Sequence, residues 1–559
     1  MKDWKEKIRQ FVFTNLSYYG ESMIDKMIKS LTLEEKIGQL LCVEINKNKD
    51  PSLVEEYIKK VRPGGIFVVG MTKEQIKFYT DMVNKCTKVP VIVSSDIEHG
   101  PKTAIVNEGE LPVPMAWGAC NCAELLYEAS VETAKICRQN GVHWTFSPVV
   151  DINYNFRSPE CNVRAVSDSP EIVKKIAGAV VKGMQKDGMM ATAVKHFPGQ
   201  GIDERNSHFA TCINHLSKEE WMATYGEVYR EMFRCGTQSV MLGHVSLPAF
   251  EDDFDEFYGA PSAGISYSLV TKLLKGELGF KGCVVSDALS MIGISASIDD
   301  VTKLCVKFMQ AGGDMLLYPE ENDYDTLLAA VKSGELSQER VDDALRRIFR
   351  LKKFVKLIGD DKFDENCLTL ERPFHDIAQE IADRSITLIR DYKKILPIKL
   401  EKGAKVLLIN MMEPYSGISG EEFLPMIKEL EARGYSVDVL NNPDHKKINE
   451  SINDYSLVLL NLKYSSKDYH GGTLRIGWGS IMTMWRAYIL KNPNVVAVSF
   501  GDPYKLFDMP YLKEYINAYY PTREVQIAVV KAILGEIPFM GKSPVEFKGY
   551  FNREVEDSQ

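Results

Sequence analysis

Between Gly38 and Tyr318 the chain alternates short apolar runs with longer amphipathic stretches, and this pattern restricts its fold more than any other feature. The apolar runs are Gly38–Ile45, Gly64–Val69, Val89–Ser94, Val142–Val150, Ala191–His196, Ser239–Val245, Gly282–Ser286 and Asp314–Tyr318, each the length of a strand. Between them, Ala123–Gln139, Glu171–Lys186 and Ser217–Cys235 have helical spacing. The last opens on Ser217-Lys218-Glu219-Glu220, a capping box in which Ser and Glu satisfy exposed backbone N–H groups. Strands alternating with helices imply a parallel sheet, and eight of them imply an α/β fold of the (β/α)8 barrel type.

Polar residues at the ends of these runs support the barrel. Asp96, Asp151, Lys195 with His196, His244 and Asp287 each stand at or just past the carboxyl end of a different run. Barrel enzymes place their chemistry at that end, on loops held by the sheet. Lys195 and His196 directly follow apolar residues, where an idle charge would be costly.

A chain of 559 residues exceeds one ordinary domain. Residues 5–30 read as helical, Leu31-Thr32-Leu33-Glu34-Glu35-Lys36 opens a further helix, and residues 337–357 form a basic amphipathic one. The pattern breaks at Gly359-Asp360-Asp361-Lys362. Residues 1–358 are therefore expected to form the barrel, and 359–399 a linker with a connecting helix over about 374–390. Beyond it, Lys405–Asn410, Ser436–Leu440, Leu457–Leu462 and Val495–Phe500 read as strands separated by helices. Residues 400–559 are expected to form a smaller α/β domain around an open, mostly parallel sheet.

Composition excludes several classes. The chain is 45% hydrophobic and 26% charged, as a globular protein is, and its net charge of −9 with no basic run argues against a nucleic-acid partner. The amino terminus resembles neither a signal peptide nor a membrane span. Eleven scattered cysteines, none in a Cys-x-x-Cys pair, suggest reduced thiols in a cytoplasmic protein. Gly199-Gln200-Gly201 lacks the third glycine of a dinucleotide fingerprint, and P-loop, zinc-protease and Gly-x-Ser-x-Gly motifs are missing. No cofactor and no metal are expected, and the oligomeric state is left open.

The stretch Lys195-His196-Phe197-Pro198-Gly199-Gln200-Gly201-Ile202-Asp203-Glu204-Arg205-Asn206-Ser207-His208 leaves a strand through Pro and Gly into a polar loop. It resembles the Lys-His-Phe-Pro-Gly-His-Gly-x4-Asp-Ser-His signature of the β-N-acetylhexosaminidase branch of glycoside hydrolase family 3. Gln200 stands where the family has His, and Asn206 where it has Asp. The resemblance continues in Gly282-Cys283-Val284-Val285-Ser286-Asp287, in Arg384-Ser385-Ile386-Thr387-Leu388-Ile389, and in Gly535-Glu536-Ile537-Pro538-Phe539.

The resemblance implies roles. Asp287 matches the nucleophile, and His208 the acid/base on the loop, a task an imidazole can perform because it titrates near neutrality. Asn206 replaces the Asp that would orient that imidazole; it can hold the ring but cannot offset its charge, so Asp203 or Glu204 is expected to supply the missing carboxylate. Asp96, Arg164, Lys195 and His196 match sugar-binding residues. His244 also fits, although a core histidine reads equally well there. The Arg residues usual after the Asp-x-Glu-Gly segment are missing from Pro101-Lys102-Thr103-Ala104.

The implied activity is that of a retaining, exo-acting β-N-acetylhexosaminidase, removing terminal N-acetylglucosamine-type residues from glycans or cell-wall fragments through a glycosyl-aspartate intermediate. A β-glucosidase- or β-xylosidase-like hydrolase and a phosphorylase remain open, as does a sugar-binding homologue silenced by Asn206.

Overall fold

The computed structural model of the chain describes residues 22–252, 254–413, 421–465 and 475–555. Most of the helix expected over residues 5–30 lies outside the described residues; residues 22–30 are helical. Thr32 caps the next helix, Leu33–Gln39, in a capping box with Glu35. Gly38, expected to open the first strand, is inside this helix. It sits so close to the Val61 carbonyl that a Cβ would come within 2.2 Å of its oxygen.

The strands that follow are β1 Leu41–Glu44, β2 Gly65–Phe67, β3 Ile92–Ser95, β4 Trp144–Thr145, β5 Ala191–Phe197, β6 Cys212–Ile213, β7 Ser239–Leu242, β8 Val245–Ser246, β9 Cys283–Ser286 and β10 Leu316–Leu317. Eight of them pair in parallel in the order β10-β1-β2-β3-β4-β5-β7-β9. A bridge from Val285 to Met315 brings the two ends together, so the sheet is a nearly closed (β/α)8 barrel. The run expected as a strand over Val142–Val150 keeps only Trp144 and Thr145 as a strand, and Val149 returns to bridge Lys195 of β5. Pro148 has no N–H to give a ladder, and the chain leaves the sheet ahead of it. β6 and β8 form a separate two-stranded parallel ribbon beside the barrel mouth. The helix expected over Ser217–Cys235 is interrupted by a π-helical turn at Met222–Gly226.

The second sheet has the order β11-β16-β15-β14-β12-β13, with β11 Thr387–Asp391, β12 Lys405–Met412, β13 Ser436–Asn441, β14 Leu457–Lys463, β15 Val495–Ser499 and β16 Glu514–Asn517. All neighbours are parallel except β11 and β16. The connecting helix was expected to reach about residue 390 but ends at Ser385. The following Ile386-Thr387-Leu388-Ile389 is rich in β-branched residues, which suit a pleated edge better than a helix.

Apolar burial joins the two units. One cluster fills the barrel and its helix shell. A second lies between the barrel and one face of the second sheet, where Val113, Met115, Ala116, Ala119 and Val163 meet Leu407, Ile409, Leu460, Tyr515 and Phe547. A third covers the opposite face of that sheet. Among the described residues no helix is long and apolar enough to cross a membrane.

Candidate active site

The barrel delivers its polar residues to one mouth. Lys195 lies in β5, buried, and its Nζ donates to Asp96 Oδ1, just past β3, at 2.7 Å. The same ammonium is 2.7 Å from Glu98 Oε1. Glu98 takes the Arg164 guanidinium on both oxygens, at 2.9 and 2.7 Å, a two-pronged geometry that suits Arg in buried pairs. Burial opposes the charge on Glu98, but Arg164 and Lys195 hold its carboxyl well below the usual range. Burial likewise opposes the charge on Lys195, and Asp96 and Glu98 keep it above its ordinary value. Lys195, Glu98 and Arg164 are each largely buried against an opposite charge, so removing one would strand another, whereas Asp96 is partly exposed at the mouth.

The chain of contacts continues outward. Arg164 Nη1 reaches Glu160 Oε2 at 3.3 Å, and Glu160 Oε1 lies 2.9 Å from His208 Nδ1. Asn206 Oδ1 accepts from the His208 backbone N–H and lies 2.8 Å from the same Nδ1. A carboxylate and an amide oxygen can only accept, so Nδ1 bears the proton in the neutral ring, and any proton exchange falls to Nε2. Burial disfavours the imidazolium; Glu160, and beyond it Asp287, more than offset this and raise His208 above its ordinary value. The carboxylate expected from Asp203 or Glu204 thus comes from elsewhere. Asp203 binds Arg205 and the Ile213 N–H, and Glu204 pairs with Arg157.

Asp287 follows β9 directly. Its N–H donates to the Leu242 carbonyl and its Oδ1 accepts from the Ala288 N–H at 2.8 Å. Burial works against its charge, but His244, His196, Lys195 and the Ala288 N–H hold it below the usual carboxylate value. His244, just after β7, donates Nε2–H to the Ala288 carbonyl, and burial lowers its basicity. Its Nδ1 is buried without a hydrogen-bond partner among the described residues. His196 turns instead to Asp151: Nδ1 lies 2.7 Å from Asp151 Oδ2, while Asp151 Oδ1 accepts from the Gln200 N–H. That second bond fixes the turn that starts the His208 loop. Gly199, with φ at +116°, lies against the Tyr225 ring, where a Cβ would come within 2.3 Å, so a side chain fits neither the backbone angle nor the space. The loop's far end is held by β6 against β8, and by Thr211 Oγ1 donating to the Gly293 carbonyl at 2.6 Å.

A buried carboxylate on a strand end, an imidazole tied to a second carboxylate, and a cluster of paired charges are groups with which acid/base-assisted displacement at a sugar carbon can be carried out. Residues 32–351 match the glycosyl hydrolase family 3 N-terminal domain. A beta-N-acetylglucosaminidase/beta-glucosidase of Cellulomonas fimi is 30% identical over 555 residues, covering 94% of this chain and 96% of that one. The chain belongs to glycosyl hydrolase family 3. As a member of that family it is a glycosidase. A beta-hexosaminidase of Methylobacillus flagellatus is 28% identical over 50% of this chain and 81% of its own. Among solved structures, a beta-glucoside phosphorylase superposes with a TM-score of 0.85 at 26% identity, covering 95% of this chain and 97% of that one. A family 3 beta-N-acetylglucosaminidase from Paenibacillus superposes at 0.80 with 27% identity, over 92% and 99% of the two chains.

Within this family 3 site, Asp96, Arg164 and Lys195 share one charge cluster, and Glu160 links His208 with Asn206 to it. His196, His244 and Asp287 form its other side. Sequence reasoning missed Glu160, and passed over Glu98 and Asp151 as partners. Glu98 stands two residues after Asp96, and Asp151 follows an apolar run, so both had a local signal. Glu160 had none, since it lies in an irregular loop far from the residue it serves.

Proposed function

We propose that this glycosidase is retaining and exo-acting, and removes terminal β-linked N-acetylglucosamine-type residues through a glycosyl-aspartate intermediate. The observation that supports it best is the His208 ring, whose Nδ1–H is held by Glu160 and Asn206, which assigns proton transfer to Nε2, with the Asp287 charge acting on the same ring. In the first half-reaction the Asp287 carboxylate attacks the anomeric carbon. The bond to the leaving oxygen breaks, and Nε2–H gives that oxygen its proton. In the second, the neutral Nε2 takes a proton from water as its oxygen displaces Asp287 from the sugar. Asp96, Lys195 and Arg164 bind the ring hydroxyls.

The sugar assignment rests on the names of the Cellulomonas, Methylobacillus and Paenibacillus relatives. A cavity of about 360 Å3 beside Asn206 and Phe209, walled by Phe156, Arg157, Tyr504 and Phe507, lies on the His208 side and seats the leaving group. Phosphorolysis is a second reading, favoured by the likeness to the beta-glucoside phosphorylase over nearly the whole chain. Eleven free thiols among the described residues support a reducing, cytoplasmic setting.

The test uses aryl β-N-acetylglucosaminides and aryl β-glucosides, each with and without inorganic phosphate, and separates free sugar from sugar 1-phosphate. Faster release from the N-acetylglucosaminide, independent of phosphate, is expected. A sugar 1-phosphate product would transfer the chain to the second reading, and preference for the glucoside would overturn the sugar. A 2-fluoro glycosyl reagent should label Asp287; its recovery on another residue would remove Asp287 from the mechanism.

A further inference from the structure

We infer that Glu160, on the loop after β4, is the positioning residue for His208, and that it takes over from the loop itself the carboxylate that Asn206 lacks. This rests on the reading of His208 as the proton donor. The geometry assigns the two oxygens of Glu160 different tasks. Oε1 accepts from His208 Nδ1 at 2.9 Å, while Oε2 is anchored by Arg164, which is itself locked on Glu98. The carboxylate is therefore fixed from behind and cannot follow the His208 loop if that loop shifts. Asn206 Oδ1, bound to both the His208 backbone N–H and Nδ1, sets the direction of the ring without adding charge.

The charges in the chain give this pairing a purpose beyond structure. Asp96, Glu98 and Glu160 carry three negative charges, and Lys195 and Arg164 two positive ones, so the five linked side chains have a net charge of −1. An imidazolium at His208 brings this set to neutrality, and a neutral imidazole leaves it negative. Asp287 and His244 act on the ring from the other side, with Glu160 the stronger acidic influence of the two carboxylates. Proton donation to a leaving group and proton recovery from water are thus steps between two charge states that Glu160 couples directly to the sugar-binding cluster. A residue that only held the fold would gain nothing from facing the one ring nitrogen that fixes the tautomer.

The experiment compares Glu160→Gln, Glu160→Gln with Asn206→Asp, and His208→Ala. Each is measured on an activated aryl glycoside, which leaves without protonation, and on an alkyl glycoside, which does not. Glu160→Gln should lower kcat/KM on the alkyl glycoside by about 10²-fold or more. The activated substrate should change little, and the basic limb of the pH profile should move to lower pH. Restoring a carboxylate with Asn206→Asp should recover much of the lost rate and return the limb upward. Equal losses on both substrates, or no rescue, would overturn the proposal. If His208→Ala itself slows both substrates equally, the reading of His208 as donor falls, and this proposal with it. If His208→Ala discriminates and Glu160→Gln does not, only the assignment of Glu160 falls. Should Glu160→Gln fail to fold, nitrogen NMR of histidine-labelled wild-type protein decides. His208, assigned with His208→Ala, should carry its proton on Nδ1, and a proton on Nε2 alone would refute the role.

Discussion

A methyl group on Gly293 would lie 1.8 Å from the backbone oxygen of Ser207, so the segment after Asp287 and the loop carrying His208 fit together only because residue 293 has no side chain. Ser207 immediately precedes His208, and Thr211 on the same loop donates to the Gly293 carbonyl. The placement of the His208 loop against the segment that follows Asp287 is thus set by direct contact of two backbones.

Gly293→Ala is expected to push the loop outward without unfolding the barrel. A misplacement of about 1 Å can cost about 10²-fold in rate when it separates reacting groups. The loss should be large on glycosides with poor leaving groups and small on activated aryl glycosides, because only the former need His208. Measuring kcat/KM on both types decides it; an equal loss on both would place the defect in sugar binding or stability instead.

The ionisations of Asp287 and His208 predict a bell-shaped dependence of kcat/KM on pH. In the proposed mechanism Asp287 must be charged to attack and His208 protonated to donate; the surroundings of Asp287 hold it below the usual value of about 3.9. Activity should be lost on the acid side only as pH falls through that lowered value. Glu160 and Asp287 raise His208 above about 6.5. Activity should persist past that pH and fall as pH rises through the raised value. A basic limb below 6 would contradict the Glu160–His208 pairing.

Much of this site could be read in the sequence because its polar residues follow apolar runs. Asp96, Asp151, Lys195, His196, His244 and Asp287 are placed by strands, and a strand end is a local signal. Glu160 escaped because its partner is 48 residues away and the segment between β4 and the helix Pro170–Met184 has no period to read. The ribbon of β6 and β8 escaped for a different reason: two residues per strand carry no alternation. The edge strand β11 was hidden because it follows its helix at once, with the β-branched run as the sole sign of the change.

The residues that carry the proposed chemistry all precede residue 300, which suggests that a chain ending near residue 360 could keep activity. The packing argues otherwise. Val113, Met115, Ala116, Ala119 and Val163 of the barrel side are buried against the second unit. Asp168 accepts from the Glu546 N–H and pairs with Arg553, and Ser167 donates to the Pro544 carbonyl. Exposing side chains such as Val113, Met115 and Val163 forfeits roughly 1.5–3 kcal/mol each, a large share of an ordinary stability margin. The truncated chain is expected to aggregate or to bind a hydrophobic dye. A soluble monomer with native near-ultraviolet circular dichroism would show that the barrel is self-sufficient.

Lys352 offers a separate test of the barrel's interior. It is fully buried; its Nζ donates to Gln39 Oε1 at 2.7 Å and no carboxylate is among the groups that set its ionisation. Burial lowers its ammonium to about 7, against which Cys42 has only a small opposing effect, since burial pushes that thiol up to about 12 and keeps it neutral. In the unfolded chain Lys352 would titrate near 10.4. Between these two values the unfolded chain holds a proton that the folded chain lacks, so raising the pH favours the fold. Below about 7 both forms are protonated and the full cost of the buried charge is present. Lys352→Met removes that cost but leaves Gln39 Oε1 unpaired, a penalty of about 1–3 kcal/mol that does not change with pH. The pH dependence of the difference is therefore the readout. From pH 7 to 9 the wild type should gain up to about 2–3 kcal/mol relative to Lys352→Met, seen as a convergence of their melting temperatures. Other titrating groups are common to both chains and cancel. A gap that stays constant over that range would mean that Lys352 keeps its charge in the fold.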